Sequence, residues 1–124
     1  MESKNLSRRV LMLGTVVTAL TLSGCGPKAP KEPPLEEKIS KVVEEAVKLK
    51  LKDPDSAQFR NVYVKKILTE ENSYAVCGEL NAKNSMGGYV GFKPFLAFAS
   101  TKENEVKAGD TYLDDNECST KYPR

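Results

Sequence analysis

Glu79 is the best candidate in this sequence for a residue that could take part in acid–base chemistry. It follows Cys77 on a predicted strand, and Lys83 or Asp110 could act with it in a small carboxylate-dependent hydrolase. That role requires burial, because burial raises the pKa of a carboxyl group. The competing interpretation is a solvated glutamate on the exposed side of a strand, and we favour it. We therefore predict no enzymatic activity and keep the hydrolase as the alternative.

The chain contains no histidine. This excludes Ser-His and Cys-His nucleophilic arrangements and removes the commonest metal ligand. Asp53 and Asp55 lie two residues apart, but no third acidic residue follows at the spacing of a calcium loop. We interpret them, with Ser56, as capping residues of a turn around Pro54. No metal or other cofactor is expected.

Cys77 and Cys118 are the two cysteines that remain once Cys25, discussed below, is set aside. Two cysteines alone do not complete the four ligands of a structural zinc site. An even pair in an exported chain indicates a disulfide, which would stabilise the fold by about 4 kcal/mol through loop closure. Two unpaired thiols are the alternative.

The first 24 residues have the pattern of an export signal. Lys4, Arg8 and Arg9 precede the apolar residues 10–22, and small Ser23 and Gly24 follow. At about 1.5 Å per residue the apolar run extends roughly 20 Å, which is too short for a hydrocarbon core of about 30 Å. We predict that residues 1–24 are a removable signal peptide.

The segment Leu22-Ser23-Gly24-Cys25 resembles the lipobox of bacterial lipoproteins. The resemblance implies that Cys25 becomes the lipidated first residue of a membrane-anchored mature protein, since two or more acyl chains give stable attachment. Gly26 after the cysteine favours the outer membrane, facing the periplasm, in a Gram-negative host. An ordinary secretory signal is the alternative. Residues 7–12 resemble in part a twin-arginine export motif, so that route and the Sec route both stay open.

The mature chain is electrically neutral. Removing residues 1–24 takes Lys4, Arg8 and Arg9 from the 19 basic residues and Glu2 from the 17 acidic ones, which leaves 16 of each. A nucleic-acid interface needs a concentrated basic face, so we exclude nucleic acid as a partner.

A tether and one domain follow the signal. Residues 25–34 contain four prolines and predict an extended spacer rather than a proline-recognition motif. From Leu35 to about Leu51 the apolar residues recur with a period of 3.6, which predicts an amphipathic helix. Matched acids and bases on its polar face argue against a helix lying on a membrane. Residues 35–124 are therefore expected to form one α+β domain, with this helix packed on a small antiparallel sheet of three to five strands.

The strand pattern begins after Phe59. Alternation places Phe59 and Tyr63 on one side of the first strand and Val62 and Val64 on the inward side. A second strand covers residues 74–81 and a third covers residues 89–99, in which Pro94 indicates a bulge or an edge position. Short strands are predicted at residues 105–108 and 112–113, and Cys118 is expected to tie the C-terminus to the second strand.

Three segments, LKDPDSAQFRNV (residues 51–62), VCGELNAKN (residues 76–84) and GGYVGF (residues 87–92), resemble a group of small exported proteins of bacteria and phages. The resemblance implies a common fold and an exported protein, and it supplies no catalytic residue. The last segments contain glycines that permit close backbone approach and aromatic residues suited to interfaces. The candidate partner-binding residues are Asn84, Gly87, Gly88, Tyr89 and Phe92. A hairpin turn leading into a core strand is the alternative. We thus expect a membrane-anchored, non-enzymatic envelope lipoprotein that binds another envelope component or protein through its sheet and the Gly87–Phe92 region.

Overall fold

The computed structural model describes Gly26 and residues 30–124. The predicted signal peptide and the predicted lipid-attachment residue Cys25 lie outside the described residues. Within Glu32–Arg124, which is a compact unit, the chain forms helix α1 (Leu35–Lys48), a single 3-10 turn (Pro54–Ser56), strands β1 (Gln58–Lys66), β2 (Ser73–Asn81), β3 (Lys93–Lys102) and β4 (Glu105–Leu113), and helix α2 (Glu117–Lys121).

The four strands form one antiparallel sheet in the order β1-β2-β3-β4. Each strand pairs with its neighbour in sequence, as short turns between alternating segments predict. This sheet together with a helix confirms the predicted α+β class, and the strand number falls within the predicted three to five. The two short strands predicted near the C-terminus are one strand, β4, with a register shift opposite the segment between Ala97 and Ala99.

One face of the sheet is covered by α1. Ile39, Val43 and Val47 recur every fourth residue of the helix, and all three are completely buried. They pack against buried sheet residues, namely Val76, Leu80, Phe95, Ala97 and Ala99. Full burial of a Val or Ile side chain contributes about 1.5–3 kcal/mol. The three helix residues therefore fix α1 to the sheet.

Strand β1 contains a bulge that overturns the predicted alternation. Arg60 pairs with Glu79 and Tyr63 pairs with Cys77, so residues 61 and 62 lie opposite Gly78 alone. Asn61 has a φ of 53°, a left-handed conformation in which asparagine is enriched. Because of the extra residue, Phe59 joins Val62 in the core beneath α1. The prediction that Phe59 shares a face with Tyr63 is wrong.

The third strand begins four residues later than predicted, at Lys93 rather than Tyr89. Gly91 has a φ of 92°, which interrupts an extended backbone just before the strand. Pro94 lies in an inner strand, where it pairs with Glu79. The predicted edge or bulge at Pro94 is therefore wrong, and its place as the second residue of the strand agrees with the tolerance of sheets for proline near strand starts.

The other face of the sheet carries a smaller apolar cluster. Ala75, Cys77 and Leu96 are buried there beneath Cys118 of α2. Residues 114–124, which we call the C-terminal strap, cross this face. The sulfur atoms of Cys77 and Cys118 lie 2.00 Å apart, which is disulfide distance and matches the pair predicted from the sequence.

Candidate functional site

The segment between β2 and β3, residues 82–92, contains the predicted partner-binding residues and is called the β2–β3 loop. Asn84 organises its turn. The side-chain Oδ1 of Asn84 accepts hydrogen bonds from the backbone N–H groups of Met86 at 3.0 Å and Gly88 at 3.1 Å. The backbone N–H of Asn84 donates to the carbonyl of Gly88 at 2.8 Å. Asn84 thus shapes the loop, and its Oδ1 already has two partners within it.

Three exposed side chains give the loop an apolar surface. Met86 is 93% exposed, Tyr89 is 48% exposed and Val90 is 54% exposed. The ammonium of Lys83 lies 5.5 Å from the centroid of the Tyr89 ring, a distance at which cation and ring attract. Gly87, with a φ of 82°, makes the reversal that brings Tyr89 opposite Lys83 in an isolated bridge. Met86 and Val90 were not among the residues singled out from the sequence.

Phe92 has a different place from the other candidate residues. The guanidinium carbon of Arg60 lies 3.8 Å from the centroid of the Phe92 ring, so the two groups stack. Phe92 is only half-buried, but the Arg60 side of its ring is already covered. We conclude that Phe92 attaches the end of the β2–β3 loop to β1, while Met86, Tyr89 and Val90 offer the free surface.

The base of the loop is held by two buried polar residues. Ser56 Oγ donates to the carbonyl of Asp53 at 2.8 Å and accepts from the backbone N–H of Lys83 at 2.8 Å. Asn81 Oδ1 accepts from the backbone N–H of Gly91 at 3.0 Å. The 3-10 turn has no side-chain cap from Asp53, so the predicted capping by the aspartate is wrong. The serine takes a structural role by joining this turn to the loop.

An apolar groove adjoins the loop. Val90, Leu51 and Leu113 line it together with Leu80, and the ion pair between Lys93 and Asp114 borders it at 2.9 Å. Its volume of about 210 Å³ lies below the roughly 300–1,000 Å³ of small-molecule sites. The sequence did not reveal the groove, because its residues come from four separate segments that only the sheet register brings together.

Glu79, the predicted catalytic candidate of the alternative hypothesis, is engaged in an ion pair. Arg60 Nε donates to Glu79 Oε2 at 2.8 Å, and Arg60 Nη2 donates to Oε1 at 3.1 Å. Asn61 Nδ2 adds a third hydrogen bond at 2.8 Å. These bonds, chiefly the one from Arg60, hold the pKa of Glu79 below its usual value. The alternative interpretation, in which burial raises the pKa of Glu79, is therefore wrong.

The proposed catalytic companions do not converge on Glu79. Lys83 lies beyond the end of β2, where its ammonium approaches Tyr89. Asp110 lies exposed on β4, separated from β2 by the whole of β3. In the sheet register Glu79 is paired with Pro94 and Arg60. The structure thus pairs Glu79 with the positively charged Arg60 and places neither Lys83 nor Asp110 beside it.

A cleft of about 440 Å³ lies between the sheet and the C-terminal strap, lined among others by Tyr63, Glu79 and Asp115. Its carboxylates already have protein partners. Glu79 is paired with Arg60, and Asp115 Oδ1 accepts from the backbone N–H of Glu117 at 2.7 Å. Neither of these two carboxylates is thus a free acid–base group of the kind that a catalytic pocket presents.

Among residue 26 and residues 30–124, no cluster of three or more acidic or cysteine side chains is placed to hold a metal ion. No helix in that same part of the chain combines the length and apolarity needed to cross a membrane. Comparison with known proteins finds no matching family model, no matching curated protein and no matching solved structure.

Proposed function

We propose that this protein is a membrane-anchored envelope lipoprotein that binds another envelope protein through the β2–β3 loop, without catalysing a reaction. The observation that carries the binding proposal is the exposure of Met86, Tyr89 and Val90 on a hydrogen-bonded loop. Exposed large apolar side chains on an ordered scaffold are typical of interaction surfaces. The lipobox residues Leu22-Ser23-Gly24-Cys25 support the anchoring.

The position of the loop in the domain supports this proposal. Leu35, where α1 begins, lies beside Asn104 of the β3–β4 turn, whereas the β2–β3 loop joins the opposite ends of β2 and β3. Strand β3 has ten residues, so these two ends lie about 30 Å apart at roughly 3.3 Å per residue. A tether that runs from lipidated Cys25 to α1 would join the domain at one end of the sheet. The β2–β3 loop lies at the other end.

The adjoining groove supports a protein as the partner. Its volume of about 210 Å³ is small for a free ligand but continuous with the exposed Val90, so a side chain of a partner can enter it. Tyr89 contributes a rigid ring with an apolar body and a polar end, a combination enriched at interfaces. The Lys93–Asp114 ion pair supplies a polar rim.

Site-specific photo-crosslinking in the native envelope tests the proposal. A photoreactive residue at Met86 is expected to capture a defined protein, and the double substitution Tyr89→Ala with Val90→Ala is expected to reduce that capture. Leu68 is the matched control, because it is 92% exposed and lies after β1 at the other end of the sheet. Capture from both positions alike, or undiminished capture in the folded double variant, would refute this placement of the binding surface.

A further inference from the structure

We propose that the C-terminal strap, residues 114–124, is released by reduction. In this proposal, opening the Cys77–Cys118 disulfide frees the strap from the sheet while α1 and the four strands stay folded. The protein then has an oxidised form with a covered second face and a reduced form with that face open. This inference does not depend on the proposed partner or on lipidation.

The non-covalent contacts of the strap lie towards its two ends. They include the exposed ion pair between Lys93 and Asp114 at 2.9 Å, which contributes little because water screens it, and the Arg124 guanidinium 5.0 Å from the centroid of the Tyr63 ring. Tyr63 Oη donates to the carbonyl of Tyr122 at 3.0 Å, and the rings of Phe98 and Tyr122 meet edge to face with centroids 6.1 Å apart. At the start of the strap the backbone N–H of Asp115 donates to the carbonyl of Pro94 at 3.2 Å. Such contacts contribute little individually, whereas every ordered residue loses conformational entropy.

Helix α2 adds little to this hold. It has five residues, and helices much shorter than about 12 residues are marginal in water on their own. Cys118 is its one buried residue. The covalent link through Cys118 is therefore the main attachment of the strap.

The principal core does not include the strap. The apolar cluster beneath α1 draws its residues from α1, from the segment 51–57 and from the four strands. Cys77 and Cys118 belong to the separate cluster on the other face. Loss of the disulfide thus leaves the packing between α1 and the sheet intact, which makes a local opening the expected response.

Cys118 is the more exposed cysteine of the pair. Cys77 is completely buried, whereas Cys118 retains 8% exposure, and both residues line the cleft of about 440 Å³ beside the strap. A thiolate of an external dithiol attacks Sγ of Cys118 to form a mixed disulfide, and Cys77 leaves as a thiolate that takes up a proton. The second thiol of the reductant then closes its own disulfide and releases the Cys118 thiol. The dithiol thereby supplies two electrons and is oxidised.

Release of the strap changes the surface that the protein presents. Tyr63, Leu96 and Phe98 pack in the cluster that Cys118 and Tyr122 cover. In the reduced form these side chains become accessible, and two of the three are aromatic. The reduced protein therefore presents an apolar face that the oxidised protein covers.

Hydrogen–deuterium exchange of the mature chain, with and without dithiothreitol, tests the proposal. We expect peptides covering residues 115–123 to exchange at least ~10-fold faster after reduction and to approach the rates of an unfolded chain, while peptides covering α1 and β2 stay protected. Trypsin cleavage after Lys121 should accelerate in parallel. Cys118→Ser should exchange like the reduced protein and should not respond to dithiothreitol.

Two outcomes would overturn the proposal. If the strap keeps its protection after reduction, its non-covalent contacts are sufficient to hold it. If α1 and β2 lose protection together with the strap, the disulfide stabilises the whole fold and no local opening exists. Since both outcomes are read from the reduced wild-type chain, the test stands even where the Cys118→Ser chain does not fold.

Discussion

Replacing Gly78 by alanine should destabilise the domain, because core side chains pack closely against the backbone at Gly78. An added Cβ would lie 2.9 Å from Cε1 of Phe95, 3.0 Å from Cγ2 of Val62 and 3.1 Å from Cα of Val62. Real Cβ atoms essentially never come within 3.0 Å of such neighbours. The Phe95 ring has no free space to move into, since it is completely buried and meets Phe59 edge to face at 5.7 Å.

The magnitude follows from these contacts. Overpacking of a well-filled core by one methyl group costs about 1–3 kcal/mol. Replacing glycine also restricts the unfolded chain, which raises the free energy of unfolding by about 0.4–1 kcal/mol. We expect a net loss of about 1–2 kcal/mol, which in a domain of this size lowers Tm by roughly 4–16 °C.

Gly88→Ala is the matched control. The nearest atom that its Cβ would meet is Oδ1 of Asn84 at 3.8 Å, and Gly88 has no positive φ. We expect this variant to lie within about 0.5 kcal/mol of the wild type. Thermal and urea unfolding followed by circular dichroism would measure both variants. Equal midpoints for Gly78→Ala and Gly88→Ala would refute the packing described for Phe95 and Val62.

Three further predictions concern polar residues. Glu79→Gln should lower Tm at neutral pH, because the Arg60 ion pair holds the pKa of Glu79 below its usual 4.5. The stability that this ion pair contributes is present above pH 4.5 and is lost as the pH falls through the lower folded-state pKa. The Tm values of variant and wild type should therefore converge in acid. Ser56→Ala should cost about 1–3 kcal/mol, since it leaves the backbone N–H of Lys83 without its partner. In the same urea titration Ser40→Ala should cost less than about 0.5 kcal/mol, because Ser40 is only half-buried and its Oγ bonds to a carbonyl of its own helix. Asn84→Ala should speed amide exchange in the β2–β3 loop with little change in Tm, and unchanged exchange there would contradict the role of Asn84 Oδ1.

The helix and an antiparallel sheet of three to five strands could be predicted because local patterns determine them. Ile39, Val43 and Val47 show the helical period in the sequence and form the buried stripe of α1 in the structure. The pairing of Cys77 with Cys118 needed only the prediction of an exported chain and the two cysteines that remain once Cys25 is set aside. Such features depend on composition and spacing, which are fully visible in one sequence.

The bulge at Asn61 could not be predicted from alternation. A period of two assigns Phe59 and Val62 to opposite faces, and one extra residue reverses that assignment for everything before it. An asparagine within a strand-like segment does not by itself indicate a left-handed backbone conformation. The error at Phe59 follows directly from this one residue.

The candidate site was predicted only in part for a related reason. The β2–β3 loop was located from its glycines, yet Phe92 stacks on Arg60 and Asn84 bonds to its own loop. The free surface includes Met86 and Val90 instead, and the groove needs Leu51 and Leu113 from distant segments. Which side of a loop is free depends on tertiary contacts that spacing does not encode.

The proposed lipid anchor is the claim on which the proposed function depends most. Intact-mass analysis of the protein extracted from membranes tests it most directly, with Cys25→Ala as the control variant. We expect a chain that begins at Cys25 and carries the mass of its acyl groups, and a Cys25→Ala chain without them. An unacylated polypeptide released into the soluble fraction or the medium would contradict it.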